Sequence, residues 1–540
     1  MPEAASSQNG TGEQKKQRRK PPGNRGLELL GFGGGGGVAL RLMGRPYTHV
    51  YNRYVGGNVF LKRSREEAAL PGFAASKPLL PAPYWAGHEW TIDCYWRAWE
   101  IAFVNLRQPP AQSPLIANFI DTAFNDCTFL WDSCFMTMFG RYGARAFSFQ
   151  RTLDNFYARQ HWDGFICREI AIEDGEDRFE RFDPASTGPN ILPWAEWEYY
   201  LHFRDRERLA AVFPVLMGYG EWLRKHRTWP DGTSWSSGWG CGMDNQPRLP
   251  AGADVCFEHG HMAWIDATLQ AIFANSLLVR MAAELGREED VTELAAEVER
   301  LGALVNREMW DGHAAFYFDR FRDGNLSRTK TIGAYWALLA GVVPAERLAP
   351  FVQHLRNPAE FARTHRVPSL AADDPDYDRQ GGYWLGGVWA PTNYMVLRGL
   401  SAVGEDALAH EIALNHLEHV VKVFETTGTL WENYAPESAV PGEPARKDFV
   451  GWTGLSPIAM LFESVFGLRP AVGRNELLWE VRLLDEHGVE HYPFGPDATL
   501  DLRCAKRVSV ADEPVVEAVS NRPLTLRIVW AGGEKTISIT

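Results

Sequence analysis

Five stretches of this sequence combine acids, arginines and aromatics in ways that ordinary helix or loop filler does not. "FLWDSCFMTMF" places Trp131 and Asp132 at the start of a predicted helix. "HWDGFICREI" carries Asp163, Arg168 and Glu169. "SSGWGCGMDNQPRLP" holds Asp244 and Arg248 among glycines and prolines. "GGYWLGGVWAPTNY" interleaves glycines with Tyr383, Trp384 and Trp389. "TLWENYAPES" sets Glu432 between Trp431 and Tyr434. Carboxyls beside aromatic rings suit a sugar, because flat sugar faces stack on tryptophan and hydroxyls bond bidentate to Asp, Glu and Arg. Two carboxyls also suffice to hydrolyse a glycosidic bond. One is protonated and donates to the leaving oxygen; the other is ionised and activates water or attacks the sugar.

Each acid has a plainer reading. Asp132 at a helix start fits a helix cap. Asp163 before Gly164 fits a turn, and Asp244 before Asn245 fits an Asx turn. Glu432 follows the bulky Trp431, and desolvation there raises a carboxyl pKa. The "EHGH" run of Glu258, His259 and His261 fits a loop better than a metal site. No metal and no cofactor is expected.

The elements that must hold these residues are mostly helices. Segments near 90–106, 130–143, 144–160, 191–209, 212–226, 262–286, 290–310, 328–343, 347–357, 389–404, 405–428 and 451–467 carry helical period or helix signals. The clearest pair is 262–286 with 290–310, a helical hairpin. Successive hairpins that must bury many amphipathic faces predict a closed ring, an (α/α)6 toroid spanning 89–470. The candidate residues then fall at helix ends around one mouth. Residues 472–540 change texture: "LTLRIVW", "AGGE" and "KTISI" read as a hairpin in a small antiparallel β domain. Residues 1–43 read as disordered or as a mis-called start, and 44–88 as irregular.

Composition narrows the class. The chain has 540 residues, 45% hydrophobic, with net charge −13, which argues against nucleic acid as the main partner. No apolar run is long enough for a membrane span. The seven cysteines show no C-x-x-C spacing and fit reduced thiols in a cytoplasmic protein.

Taken together, the stretches resemble glycoside hydrolase family 63 and its relatives, the trehalases and the mannosylglycerate and glucosylglycerate hydrolases. "SGWGCGMDNQPR" is similar to that family's S-G-[ML]-D-[ND]-x-P-R segment. "GFICREI" is similar to W-I-x-R-E-Q, and "YWLGGVWAPTNY" to Y-W-R-G-x-[VI]-W. "WENYAPES" followed by "DFVGWTGL" resembles W-E-N-Y-x-P followed by F-x-W-[ST]. The resemblance covers residues 90–467 in order. It implies the (α/α)6 fold and an inverting, exo-acting hydrolase of an α-glycoside, an α-glucoside by preference. It implies Asp244 as general acid and Glu432 as general base. Trp131, Asp132, Arg168, Glu169, Trp384 and Trp389 would bind the sugar, with Trp431, Tyr434 and Trp452 beside the base and Arg248 beside the acid. Leu385 and Ile170 depart from the pattern, where the family has arginine and glutamine. A small oligosaccharide or glycoside is the expected partner. The rival expectations are an epimerase or phosphorylase on the same toroid and a sugar-binding protein without catalysis.

Overall fold

The computed structural model describes the strands at 29–31, 37–42 and 45–50 and residues 52–540 except 66 and 251. The chain divides into two compact units, Met1–Asn52 and Arg53–Thr540. In the first, Leu29–Gly31, Gly37–Leu42 and Arg45–Val50 form an antiparallel sheet; its first two strands fall in the stretch expected to be disordered and its third in the stretch expected to be irregular. The rest of the expected disordered stretch 1–43 lies outside the described residues.

The second unit is mainly helical. Its principal helices are α1 (Glu89–Val104), α2 (Leu130–Gly140), α3 (Leu192–Phe203), α4 (Arg206–His226), α5 (Ile265–Leu285), α6 (Thr292–Glu308), α7 (Ala390–Ala402) and α8 (Asp406–Thr427). In α1 the buried Thr91, Cys94, Tyr95, Ala98, Trp99 and Ala102 recur at three- and four-residue steps, one apolar stripe. The helices α2, α3 and α7 are buried almost all round, as inner helices must be. Packing runs α2 on α3, α3 on α5, α5 on α4 and α6, α7 on α8, and α8 back on α1.

Several boundaries differ from the sequence expectation. The break expected between 209 and 212 falls at Arg204, which is left-handed (φ 56°), and the Asp205 side chain caps α4 by accepting from the Arg208 N–H at 2.9 Å. Pro214 sits inside α4, held there by the buried run Val212, Phe213, Val215 and Leu216. The segment 144–160 yields one short helix, Thr152–Tyr157, after a 3-10 turn. The segment 328–343 shortens to a 3-10 turn and Trp336–Leu339, and 451–467 closes as a π-helix at Ser456–Val465.

The β region consists of two four-stranded sheets. Its strands are β1 (Ala82–Trp85), β2 (Leu468–Ala471), β3 (Glu476–Glu480), β4 (His487–Phe494), β5 (Ala498–Cys504), β6 (Val516–Ser520), β7 (Leu524–Trp530) and β8 (Gly533–Ile539). One sheet has the order β6-β5-β4-β1 and the other β2-β3-β7-β8. The β7–β8 hairpin is the one the turn residues announced. Two features correct the expected antiparallel domain. β3 and β7 pair in parallel, because the strands between them go to the other sheet and provide the long crossover a parallel pair needs. β1 arrives from before α1 and pairs with β4, so the β region draws on both ends of the unit.

Two short pieces of pairing position the site. Cys127–Phe129 pairs with Glu169–Ala171, with Phe129 opposite Glu169, which brings Glu169 to the start of α2. Bridges Val388–Tyr434 and Gly381–Glu443 knit the loop before α7 to the loop after α8, and Trp431–Lys447 folds the latter loop on itself.

Candidate active site

A cavity of about 490 Å³ opens where α2, α7 and the π-helix begin. Trp131, Asp132, Arg168, Glu169, Asp244, Trp384 and Trp452 all line it, seven of the twelve residues singled out from sequence. Its size suits a sugar-sized ligand.

Asp132 lies in the first turn of α2, where the helix dipole favours a negative group. It is not the cap, a position held by Phe129. Asp132 is buried, and its Oδ1 has no hydrogen-bond partner among the described residues. Burial pushes its carboxyl well above the usual range. Glu169 is likewise pushed up by burial, with Arg168 opposing. Arg168 pairs with Glu169 and donates to the Trp239 carbonyl at 2.9 Å.

The loop carrying Asp244 is fastened along its length. Ser237 caps the short helix Gly238–Cys241 by accepting from the Gly240 N–H. A Cβ on Gly238 would stand 2.2 Å from the Asp244 carbonyl oxygen, so only glycine fits there. Asn245 ties this loop to the next: its Nδ2 donates to the Gly382 carbonyl and its Oδ1 accepts from the Trp384 N–H, both at 2.9 Å. Gln246 donates to the Ser369 carbonyl and accepts from the Thr331 hydroxyl. Arg248 is fully buried between Asp266 and Asp319, with four hydrogen bonds of 2.6–2.8 Å, and stacks over Trp264. It is an anchor of the loop, away from the cavity lining. Burial pushes the Asp244 carboxyl up to about 6, with Arg168 opposing and Glu169 reinforcing.

Glu432 is buried immediately behind the lining. Its Oε1 accepts from the Tyr383 hydroxyl at 3.0 Å and its Oε2 from the Arg446 N–H at 3.1 Å. Trp452 Nε1 donates to the Glu432 carbonyl at 3.0 Å. Burial raises its pKa, the two donors pull it back, and the charge of Asp244 adds to the rise.

The remaining aromatics stand further out. Trp389 stacks behind Trp384, ring centroids 3.8 Å apart and nearly parallel, and so stiffens that wall. Trp431 bonds to Thr427, and Tyr434 accepts from the Trp431 N–H; neither lines the cavity. Asp163 binds Trp222 and Arg181 and belongs to the scaffold.

Sequence reasoning missed Tyr383, Arg446 and Trp239 as site residues and Asn245 as the link between loops. Tyr383 lay inside a stretch already singled out, and its left-handed backbone (φ 64°) between glycines is the strained geometry that functional loops tolerate. Arg446 acts through its backbone N–H, which no side-chain motif announces.

Residues 126–453 match the mannosylglycerate hydrolase MGH1-like glycoside hydrolase domain. The chain is 24% identical over 356 residues to a mannosylglycerate hydrolase of Thermus thermophilus, covering 53% of this chain and 85% of that protein. It is 24% identical over 281 residues to a probable mannosyl-oligosaccharide glucosidase of Schizosaccharomyces pombe, 46% of this chain but only 34% of that protein. The solved structure of the GH63 mannosylglycerate hydrolase from Thermus thermophilus in complex with glucose shares the fold, with a TM-score of 0.55 at 20% identity over 68% of this chain and 99% of that one.

Proposed function

The chain belongs to the mannosylglycerate hydrolase MGH1-like family of glycoside hydrolases, and from that premise we propose that it hydrolyses a neutral α-glucoside from its end, with inversion, on an (α/α)6 toroid. The observation that carries this reading is a pair of desolvated carboxyls, Asp244 in the lining of one aromatic-walled cavity and Glu432 directly behind that lining.

Asp244, with its pKa near 6, holds a proton for the glycosidic oxygen. The Tyr383 hydroxyl and the Arg446 N–H donate to the ionised form of Glu432 and oppose the rise that burial causes, and Glu432 takes a proton from a water. The bond from the anomeric carbon to the leaving oxygen breaks, and that oxygen takes the Asp244 proton. The water oxygen bonds to the anomeric carbon from the opposite face, and its proton goes to Glu432. In this reading Asp132, Glu169 and Arg168, which line the cavity, bind ring hydroxyls and Trp384 stacks on the ring.

A neutral substrate fits the charge of the site. Three carboxyls and two guanidiniums line the cavity, with Glu432 behind them, and both guanidiniums are engaged: Arg168 by Glu169 and the Trp239 carbonyl, Arg446 by the Ala123 and Phe124 carbonyls. The test is proton NMR of the purified protein with a panel of α-linked glucosides and glycosyl-glycerates. Release of β-glucose from a neutral α-glucoside is expected. Release of the α-anomer would refute inversion, and turnover of the acidic glycosides alone would refute the neutral substrate.

A further inference from the structure

The loop after α8 returns past Glu432 through the run "GEPARKDFV", residues 442–450, with two adjacent exposed cations, Arg446 and Lys447. Lys447 behaves as surface cations do: its ion pair is with neighbouring Asp448 at 3.8 Å, and such exposed pairs contribute little. Arg446 is tied across the chain instead. Its Nη1 donates to two successive carbonyls, those of Ala123 at 3.0 Å and Phe124 at 2.7 Å. Its guanidinium lies over the Phe124 ring, 4.8 Å from the centroid.

The segment it reaches is an exposed turn. Ala123 is left-handed (φ 63°), and its N–H bonds to the Asp121 carboxylate two residues back. A guanidinium that satisfies both carbonyls fixes the backbone carrying Phe124. Phe124 is a wall of the carboxyl cavity and packs on Phe129, Phe449 and Trp452.

The main chain of the same arginine holds Glu432. The Arg446 N–H donates to Glu432 Oε2 at 3.1 Å, and the Glu432 N–H donates to the Arg446 carbonyl at 2.8 Å. One residue therefore grips the cavity wall with its side chain and the carboxyl behind that wall with its backbone.

We propose that Arg446 is a positioning residue: its guanidinium latches the Phe124 turn and thereby fixes the backbone N–H that orients Glu432, so that wall and carboxyl move as one unit. The catalytic meaning of this coupling rests on the reading of Glu432 as the base; the coupling itself does not. Charge reinforces the geometry. Glu432 faces the Tyr383 hydroxyl from the loop before α7, Asp244 from its own loop and Asp132 from α2. Against burial and the Asp244 charge, the Arg446 N–H and guanidinium pull the Glu432 pKa down. Loss of the guanidinium raises the pH at which Glu432 ionises.

Arg446→Ala removes the latch, keeps the main-chain N–H and lies at an exposed position, with circular dichroism to check the fold. Hydrogen–deuterium exchange mass spectrometry of the full chain reads the coupling. Exchange about tenfold faster is expected in both 121–126 and 430–434, with the Asp244 loop unchanged. Acceleration confined to 121–126, equal acceleration in the Asp244 loop, or no change would each overturn the proposal. Turnover of the substrate found by the NMR panel reads the consequence. Arg446→Ala is expected to lower kcat about tenfold and to move the acidic limb of its pH profile upward. Arg446→Lys, which restores a cation with N–H donors, is expected to recover part of both. A raised KM with kcat and the acidic limb unchanged would make Arg446 a wall residue alone and overturn its positioning role. Absence of turnover in the unsubstituted protein would instead refute the glycosidase reading, and the exchange experiment would then decide the coupling by itself.

Discussion

The two ends of the helical unit bury the same kind of group to opposite effect. At the end where α2 stops, beside its C-cap Arg141, burial pushes the Glu198 carboxyl up, but Arg398 and Arg141 overcome it and hold the group at about 2. At the end where α2 begins, in the carboxyl cavity, burial pushes Asp244 up to about 6, with Arg168 too committed to Glu169 to compensate. Burial is common to both; pairing decides the sign. A saturated carboxylate is a structural ion. An undersatisfied one is a proton donor, and undersatisfied groups gather at functional sites. Asp132, with an unpartnered buried oxygen, carries the same signature.

The contrast breaks most visibly in turnover. Asp244→Asn and Glu432→Gln are each expected to lower kcat by roughly 10²–10⁴-fold with the fold intact, as loss of a general acid or base does. An unimpaired kcat in either variant, measured with the substrate the NMR panel finds, removes that residue from the mechanism.

The next effect is on stability, and the two ends should respond with opposite sign. Glu198→Gln leaves Arg141 and Arg398 short of a buried counter-charge and is expected to cost about 3–5 kcal/mol. Asp244→Asn removes a carboxylate that the fold disfavours, and a stabilisation on the order of 1–2 kcal/mol at neutral pH is expected. The pH windows differ accordingly. Glu198 is depressed from 4.5 to about 2, so its contribution is full above about 4.5 and is lost as pH falls toward 2. Asp244 is raised from 3.8 to about 6, so it favours the folded state at low pH and that advantage is lost as pH rises from about 4 through 6. Urea denaturation of both variants across pH 3–8 reads both signs. A loss of stability in Asp244→Asn would mean the carboxylate is paired after all.

This contrast also explains what the sequence let through. Helix–helix pairs such as α5 with α6 were legible because an apolar stripe repeats locally. The break at Arg204 was not, since it rests on one left-handed residue and an Asp205 cap. The sheets were half legible: the β7–β8 turn is local, but the parallel β3–β7 pair and the recruitment of β1 are decided by distant segments. In the site, Trp131, Asp132, Arg168, Glu169 and Asp244 showed in motif residues whose side chains line the cavity. Arg248 belonged to the same motif for another reason, since its charge is spent on Asp266 and Asp319. Tyr383 was hidden because its role is a hydrogen bond to Glu432 across 49 residues. The charge network of Arg141, Glu198, Arg398 and Glu463 was invisible, because its members sit singly on four separate elements.

The central claim is that Asp244 works as an acid because burial without pairing keeps its proton. The pH dependence of kcat/KM tests it most directly, since that profile reports the free enzyme's essential groups. The account predicts a bell whose basic limb bends near pH 6, with kcat/KM falling tenfold per unit above it. A kcat/KM that stays level from pH 6 to pH 9 would contradict it.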